Sequence, residues 1–366
     1  MSTGPVGVAV IGAGNISSQY LSHLTEFPDL RVLAVADLDE QRAAAAAAEY
    51  GVERSGSAAQ VLGMDDVEIV VNLTIPAVHA TVALDALRAG KHVYTEKPLA
   101  LDTPSGRAVL AEAAERGLRV GNAPDTFLGA GIQSALRAVR KGLIGEPVAA
   151  TTALESSGPE SWHPSPEFLY ADGAGPLFDM GPYYLTALVA LLGPASTVAA
   201  TARKSRETRV IGSGPKAGTA FAVEVPTHVT ALIEFAAGAG ASSAFSFDSP
   251  AAKRLIEIGG TEATLSLPDP NEFGGPLRIR TAQDEEWREL PIEGTEAGRG
   301  IGVLDLARAL RSGAPHRASG ALALHVLDLM SAISASAAEG TFQKVTAELA
   351  PVEPLPADWD PFARTL

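Results

Sequence analysis

The sequence predicts an α/β protein of two domains: a doubly wound parallel sheet in residues 1–124, then, in residues 125–366, an α+β domain with a large, mostly antiparallel open sheet. Three observations carry that expectation. The first third alternates short β-branched runs with longer amphipathic stretches, the pattern of a parallel sheet covered by helices on both faces. Beyond about residue 124, strand-like runs follow one another without helices between them, which implies antiparallel neighbours. Finally, 366 residues with 46% apolar side chains exceed what one ordinary core holds.

In the first domain, strands are expected at Val6–Ile11, Leu30–Ala36, Ile69–Leu73, His92–Thr95 and Leu118–Val120. Helices are expected at Ile16–Leu24, Glu40–Tyr50, Val78–Arg88 and Thr103–Arg116, the alanine run 43–48 being nearly pure helix propensity. Leu128–Lys141 reads as a further helix, ended by Gly142. The second domain then alternates through Val148–Leu154, Thr227–Phe235, Ser242–Phe247, Arg254–Gly259, Ala263–Leu267 and Leu277–Thr281, with Gly and Pro turns between. Helices return at Gly181–Leu192 and His325–Ala338, Thr208–Gly218 reads as a loop, and the tail from Pro351 as an irregular extension. A broad open sheet with helices on one face needs cover on the other, so a homo-oligomer (dimer or tetramer) through this sheet is expected.

Bulk properties exclude several functions. A net charge of -15, with no basic cluster, argues against nucleic-acid or anionic-membrane partners. There is no cysteine, so disulfides, thiol nucleophiles and Cys-ligated metals are ruled out. The His and acidic residues show no metal-ligand spacing, and no metal is expected. No uninterrupted apolar stretch approaches the ~20 residues of a membrane span, and no signal peptide is evident, so the expected setting is the cytoplasm.

The run Val6–Ile11 leads directly into Gly12-Ala13-Gly14-Asn15-Ile16-Ser17. This is the G-x-G-x-x-G dinucleotide fingerprint with a small Ser17 in its third position. Gly12 permits the tight turn, Gly14 lets the backbone approach a pyrophosphate, and Asn15 and Ile16 open the helix whose N-terminus holds it. Asp37 stands at the end of the second strand, about 20 residues further on, where a carboxylate binds the adenosine ribose and repels a 2′-phosphate. Leu38 follows it rather than an arginine. A Rossmann domain that binds NAD in preference to NADP is expected.

Three further segments identify a family: Asn72-Leu73-Thr74-Ile75-Pro76-Ala77-Val78-His79, Glu96-Lys97-Pro98, and Gly175-Pro176-Leu177-Phe178-Asp179-Met180-Gly181-Pro182-Tyr183-Tyr184. With the glycine loop they resemble the glucose–fructose oxidoreductase / inositol dehydrogenase (Gfo/Idh/MocA) family over essentially the whole chain. The resemblance implies reversible oxidation of a secondary alcohol on a sugar, inositol or related polyol. It places Lys97 beside the nicotinamide and the reacting carbon. Asp179 matches the aspartate of the family's Asp-x-x-x-His pattern, whereas Tyr183 occupies the histidine position.

Alcohol oxidation needs a base and a positioned cofactor. A tyrosine starts near ~10 and needs a nearby cation to act as base at neutral pH, a role open to Lys97. Either Lys97 bonds the substrate oxygen while Tyr183 or Asp179 exchanges the proton, or Lys97 is itself the base and the other two orient substrate. Thr74 and Pro76 are expected to shape the loop under the nicotinamide. Glu96 reads equally as a ribose contact or an exposed charge, and Trp162 and His163 offer a face for a sugar ring. His79 reads as structural, and Asp125 as facing substrate or as a hinge or helix cap. Two alternatives belong to other classes: a glycosidase acting through transient oxidation by held NAD, and a non-catalytic nucleotide-sensing regulator. The presence of both Lys97 and Asp179 argues against the second.

Overall fold

The computed structural model describes residues 4–366, in two compact units that are not contiguous in sequence. The first runs through Gln133 and takes in Glu293–Leu327 and Glu353–Leu366; the second comprises Ser134–Ile292 and Asp328–Val352. The boundary expected at residue 124 thus falls within the first unit, and the single break did not anticipate two returning segments.

In the first unit the chain alternates β1 (Val6–Ile11), α1 (Ser17–Leu24), β2 (Leu30–Ala36), α2 (Glu40–Glu49), β3 (Arg54–Gly56), α3 (Ala58–Leu62), β4 (Ile69–Asn72), α4 (His79–Arg88), β5 (His92–Thr95), α5 (Thr103–Arg116) and β6 (Val120–Asn122). The six strands form one sheet in the order β3-β2-β1-β4-β5-β6, parallel throughout. That is the doubly wound order, which reverses between β1 and β4. β1 and β4 are buried at every position, as strands covered on both faces must be. β3 and α3 were absent from the sequence reading. Arg54-Ser55-Gly56 carries no apolar run, but α3 has a legible signal in the Ser57/Gln60 capping box.

The second unit follows through α6 (Ala130–Arg140), β7 (Pro147–Glu155), α7 (Pro176–Leu192), β8 (Ala195–Arg203), β9 (Thr208–Val210), β10 (Ala220–Ala222), β11 (His228–Phe235), β12 (Gly240–Ser246), β13 (Lys253–Gly260), β14 (Ala263–Ser266), β15 (Leu277–Thr281) and β16 (Arg288–Leu290). α8 (Ile301–Ser312) belongs to the first unit, and α9 (Gly320–Glu339) and β17 (Gln343–Lys344) complete the chain. Nine strands form a sheet in the order β16-β15-β14-β13-β7-β12-β11-β8-β17, antiparallel except for the β7–β12 pair. α7 packs on β7, β11 and β12. Along β11, Val229, Ala231, Ile233 and Phe235 are buried, while Thr230, Leu232 and Glu234 are exposed on the opposite face.

Three expectations need correction. The segment read as a loop at Thr208–Gly218 opens with β9, which pairs antiparallel with β10; its buried position is Arg209 rather than an apolar residue, so no hydrophobic alternation marks it. α7 begins at Pro176, not Gly181, with Pro in the first turn where its missing N–H costs nothing. And α9, at 20 residues, is long and apolar enough to cross a membrane by composition, although 56% of it is buried within the protein. The tail from Pro351 is irregular but tied down: buried Asp29 accepts from the Thr365 amide at 2.8 Å and from its hydroxyl at 2.7 Å.

Candidate functional site

The register of the parallel sheet brings one group of candidates to one edge. Ala36, Ile11, Asn72 and Thr95 lie in line across β2, β1, β4 and β5. The residues that follow them, Asp37, Gly12, Leu73 and Glu96, therefore leave the sheet side by side at its carboxyl edge, where ligands of open α/β sheets bind. Gly12 turns there with φ of 104°, and a Cβ would lie 2.6 Å from the Leu73 carbonyl oxygen, so only glycine fits. A Cβ on Gly14 would meet nothing within 4 Å. No side chain caps α1, and among the described residues no acceptor takes the N–H groups of Gly14, Asn15 and Ile16. Uncommitted donors at a helix N-terminus make a seat for an anion. Ser17, in the third fingerprint position, is buried, and its hydroxyl donates to the Gly14 carbonyl at 2.7 Å. These residues fit the pyrophosphate of a dinucleotide.

Asp37 does not cap α2; Asp39 does, accepting from the Gln41 and Arg42 amides. The Asp37 carboxylate instead accepts from the Ala13 amide at 2.7 Å, which ties the second strand's end to the glycine loop. Leu38 beside it is fully exposed. The sequence reading missed Arg42, in the first turn of α2, whose guanidinium reaches 3.8 Å from Asp37; an arginine five positions after the acidic residue is the signal that could have found it.

Beyond β4, the amide and hydroxyl of Thr74 both donate to Asn72 Oδ1, at 3.3 and 2.7 Å. Pro76 opens an exposed 3-10 turn, Pro76–Val78. His79 starts α4, fully buried, and its ring bridges two carbonyls: Nδ1 lies 2.7 Å from Pro98 O and Nε2 2.9 Å from Thr74 O. The loop after β4 is thereby fastened to the turn after β5.

Glu96 is buried, not an exposed charge. Its carboxylate accepts from the Tyr20 hydroxyl at 2.8 Å and from the Lys97 amide at 2.8 Å. Burial, and then the Glu96 charge, push the Tyr20 hydroxyl well above its usual range, so it remains a donor. The Asn122 amide donates to the Thr95 and Glu96 carbonyls at 2.8 and 3.2 Å. Lys97, half-buried, thus leaves β5 from a backbone held by three side chains, of which Tyr20 and Asn122 gave no sequence signal. Asp125 is fully buried and caps α8: one oxygen accepts from the Gly300 and Gly302 amides at 2.8 and 3.1 Å.

In the second unit, Asp179 lies in the first turn of α7 and Tyr183 one turn later; the four-residue spacing puts both on one helix face. Asp179 is half-buried and Tyr183 is 6% exposed. Trp162 and His163 sit in the segment between β7 and α7, their rings in edge contact with centroids 5.5 Å apart. Among the described residues, no group of three or more His, Asp or Glu side chains is placed to hold a metal ion.

A doubly wound sheet with an uncapped glycine loop and an acidic residue after its second strand defines a dinucleotide-binding protein. The chain belongs to the Gfo/Idh/MocA oxidoreductase family: residues 6–123 match the model described as oxidoreductase family, NAD-binding Rossmann fold, and residues 132–266 match the GFO/IDH/MocA C-terminal domain. It is 35% identical to inositol 2-dehydrogenase 3 of Saccharopolyspora erythraea over 31% of this chain and only 34% of that relative's length. It is 27% identical to D-apiose dehydrogenase of Paraburkholderia graminis over 91% of this chain and 88% of the relative. The fold is also that of a levoglucosan dehydrogenase solved with NADH, with a TM-score of 0.80 and 22% identity over 94% of this chain and all of the other. Both sequence-based expectations, the family and the pairing of a parallel with a mostly antiparallel sheet, agree with these findings.

Proposed function

We propose that the protein is an NAD-dependent dehydrogenase that oxidises a secondary alcohol of a sugar, inositol or related polyol, and reduces the ketone in reverse. The observation that supports this most directly is the shared carboxyl edge: Lys97 leaves β5 at the same edge where β1 gives the glycine loop and β2 gives Asp37. Gly12, Gly14, Asn15 and Ile16 would hold the pyrophosphate, Asp37 the adenosine ribose, and Thr74 and Pro76 would form the loop beneath the nicotinamide. NAD, when bound, supplies the hydride acceptor. Glu96 acts on this reading by fixing the Lys97 backbone rather than through direct contact with the ribose.

Lys97 bonds the reacting oxygen, and Tyr183 or Asp179 carries its proton away; Trp162 and His163 contact the sugar. NAD is preferred over NADP because the Asp37 carboxylate, held by Ala13, repels a 2′-phosphate. Arg42 nearby is the residue to replace if that preference proves weak. The open face of the large sheet mixes Thr151, Thr230 and Leu232 with the charges of Glu234 and Glu257, and a second copy of the chain would cover it. On the same reading the enzyme works in the cytoplasm, as the sequence leads one to expect.

The test is NADH formation by the purified protein with D-apiose, levoglucosan and myo-inositol, with NAD and NADP in parallel. Lys97→Ala is expected to lower kcat by at least the ~10²-fold of a lost acid/base group. Tyr183→Phe with an unchanged rate and pH profile would remove Tyr183 from the proton path. No reduced cofactor with any alcohol of these classes would overturn the assignment.

A further inference from the structure

Between β7 and α7 the second unit exposes two large aromatic side chains, Trp162 at 68% and Phe168 at 59%. They are not scattered. The His163 ring stands between them, edge-on to both, with centroid distances of 5.5 Å to Trp162 and 5.4 Å to Phe168. His163 Nδ1 accepts the Ser165 amide at 3.0 Å, so in the neutral ring Nε2 carries the hydrogen and can donate. Two apolar ring faces flanking one oriented donor are what a hydroxylated ring with an apolar side requires.

An exposed aromatic group in a long segment would ordinarily swing. This one is fastened from beneath. Tyr170 and Leu169, next in sequence to Phe168, are buried in a cluster with Val223 and Phe247. Glu160, two residues before Trp162, accepts from the Tyr170 hydroxyl and from Arg209. Arg209 is 3% exposed at its side chain and reaches in several directions at once: to Glu160, to Asp248, to the Ser157 carbonyl at 3.0 Å and to the Phe247 carbonyl at 2.9 Å, with its guanidinium 5.2 Å from the Tyr170 ring centroid. The β9–β10 hairpin that carries Arg209 also touches the segment directly, through the Gly212 amide donating to the Glu160 carbonyl at 2.7 Å. A buried cation between two carboxylates gains little net stability after desolvation, but it fixes geometry. The network immobilises the one part of this segment that exposes its aromatic rings.

We propose that Trp162, His163 and Phe168 form a stacking face for the sugar ring, with Phe168 an additional contact residue and Arg209 the positioning residue that holds the face in place. The inference rests on the proposed sugar or polyol specificity. It adds to it a residue, Phe168, and a device, the Arg209 clamp, that act on affinity and ring preference rather than on the chemical step.

The experiment measures binding and turnover separately on the full chain. Saturation-transfer NMR with NADH present, using levoglucosan, D-apiose and myo-inositol as probes, reads contact with the aromatic protons; initial rates with the same compounds read KM and kcat. Trp162→Ala and Phe168→Ala, both exposed and therefore tolerated by the fold, are each expected to weaken sugar binding roughly tenfold, with the loss in KM more than in kcat. Arg209→Lys keeps the charge but cannot reach both carboxylates with a fork, and is expected to raise KM several-fold. Saturation transfer without NADH formation would uphold the stacking face and sink the dehydrogenase reading. NADH formation with unaltered binding in Trp162→Ala and Phe168→Ala would do the reverse. If Arg209→Lys lowers the melting temperature yet leaves KM unchanged, Arg209 is merely structural and its positioning role is overturned; absence of any saturation transfer to the wild type overturns the stacking face.

Discussion

Two glycines of the fingerprint, Gly12 and Gly14, separated by one residue, are expected to fail in different ways when each becomes alanine. At Gly12 the new Cβ would lie 2.6 Å from the Leu73 carbonyl oxygen, 2.7 Å from its carbon and 2.9 Å from the Thr74 nitrogen, all backbone atoms that cannot turn aside. The φ of 104° is itself unfavourable for an L side chain, at about 1–3 kcal/mol. Overlap with the strand beside it adds a cost in the range of about 1–3 kcal/mol found for overpacked cores. Gly12→Ala should therefore lose about 2–6 kcal/mol of stability before any ligand is added. Gly14→Ala meets nothing within 4 Å and needs no left-handed backbone, so the apoprotein should melt as the wild type does. If a pyrophosphate lies against that backbone, the added methyl costs a charge-assisted hydrogen bond, about 1.5–3 kcal/mol, or roughly ten- to a hundredfold in NADH affinity. Thermal denaturation of the apoproteins and NADH fluorescence titration separate the two effects. A Gly14→Ala protein that binds NADH as tightly as the wild type would refute the placement of the pyrophosphate over the Gly12–Ile16 loop.

Two further outcomes concern groups buried in the first unit. Asp125→Ala leaves the Gly300 and Gly302 amides without their acceptor and should cost about 2–4 kcal/mol by chemical denaturation, whereas Asp125→Asn keeps an acceptor oxygen and should cost less. Burial, and then the neighbouring Arg119, hold His92 at about 4, while its Nδ1 accepts the Arg119 amide at 2.9 Å. In the unfolded chain His92 takes its proton near ~6.5, so the unfolded state binds more protons between those two values, and stability falls as pH drops through that window. Allowing for its partial access to water, the loss should approach roughly 1–2 kcal/mol, and His92→Asn should flatten that part of the stability curve.

What the sequence displayed was local and periodic. The glycine loop declares itself because tight turn, strand and helix are contiguous, and β1 and β4 because apolar runs buried at every position mark strands covered on both sides. Lys97, Asp179 and Tyr183 became candidates through the resemblance of their motifs to the family, not through periodicity. What stayed hidden was pairing between distant residues. Nothing near Tyr20 says that its hydroxyl will meet Glu96, 76 positions away. Arg209 inverted the usual signal by placing a charge at the buried position of a short strand, and so the hairpin read as a loop. In α7, Gly181 and Pro182 mimic a helix start, but tertiary packing carries the helix through Pro182; Gly181 gives the room, since even a Cβ there would come within 3.2 Å of Leu177 and 3.4 Å of Met330. β8, although nine residues long, is rich in alanine and has no apolar alternation, Val198 being its one large apolar side chain.

The interleaving of the two units bears on how the protein can be made. Arg311 forks onto Glu68 at 2.6 and 2.8 Å, and Arg308 meets Asp29 at 2.8 Å. A gene fragment cut at residue 124 would thus carry Asp29 and Glu68 without the arginines that neutralise them. On the ribosome, too, the amino-terminal sheet must wait for residues made 243 and 279 positions later before its acidic groups are matched. Insertions and tags are better tolerated in the exposed turns of the large sheet than at any cut between the halves.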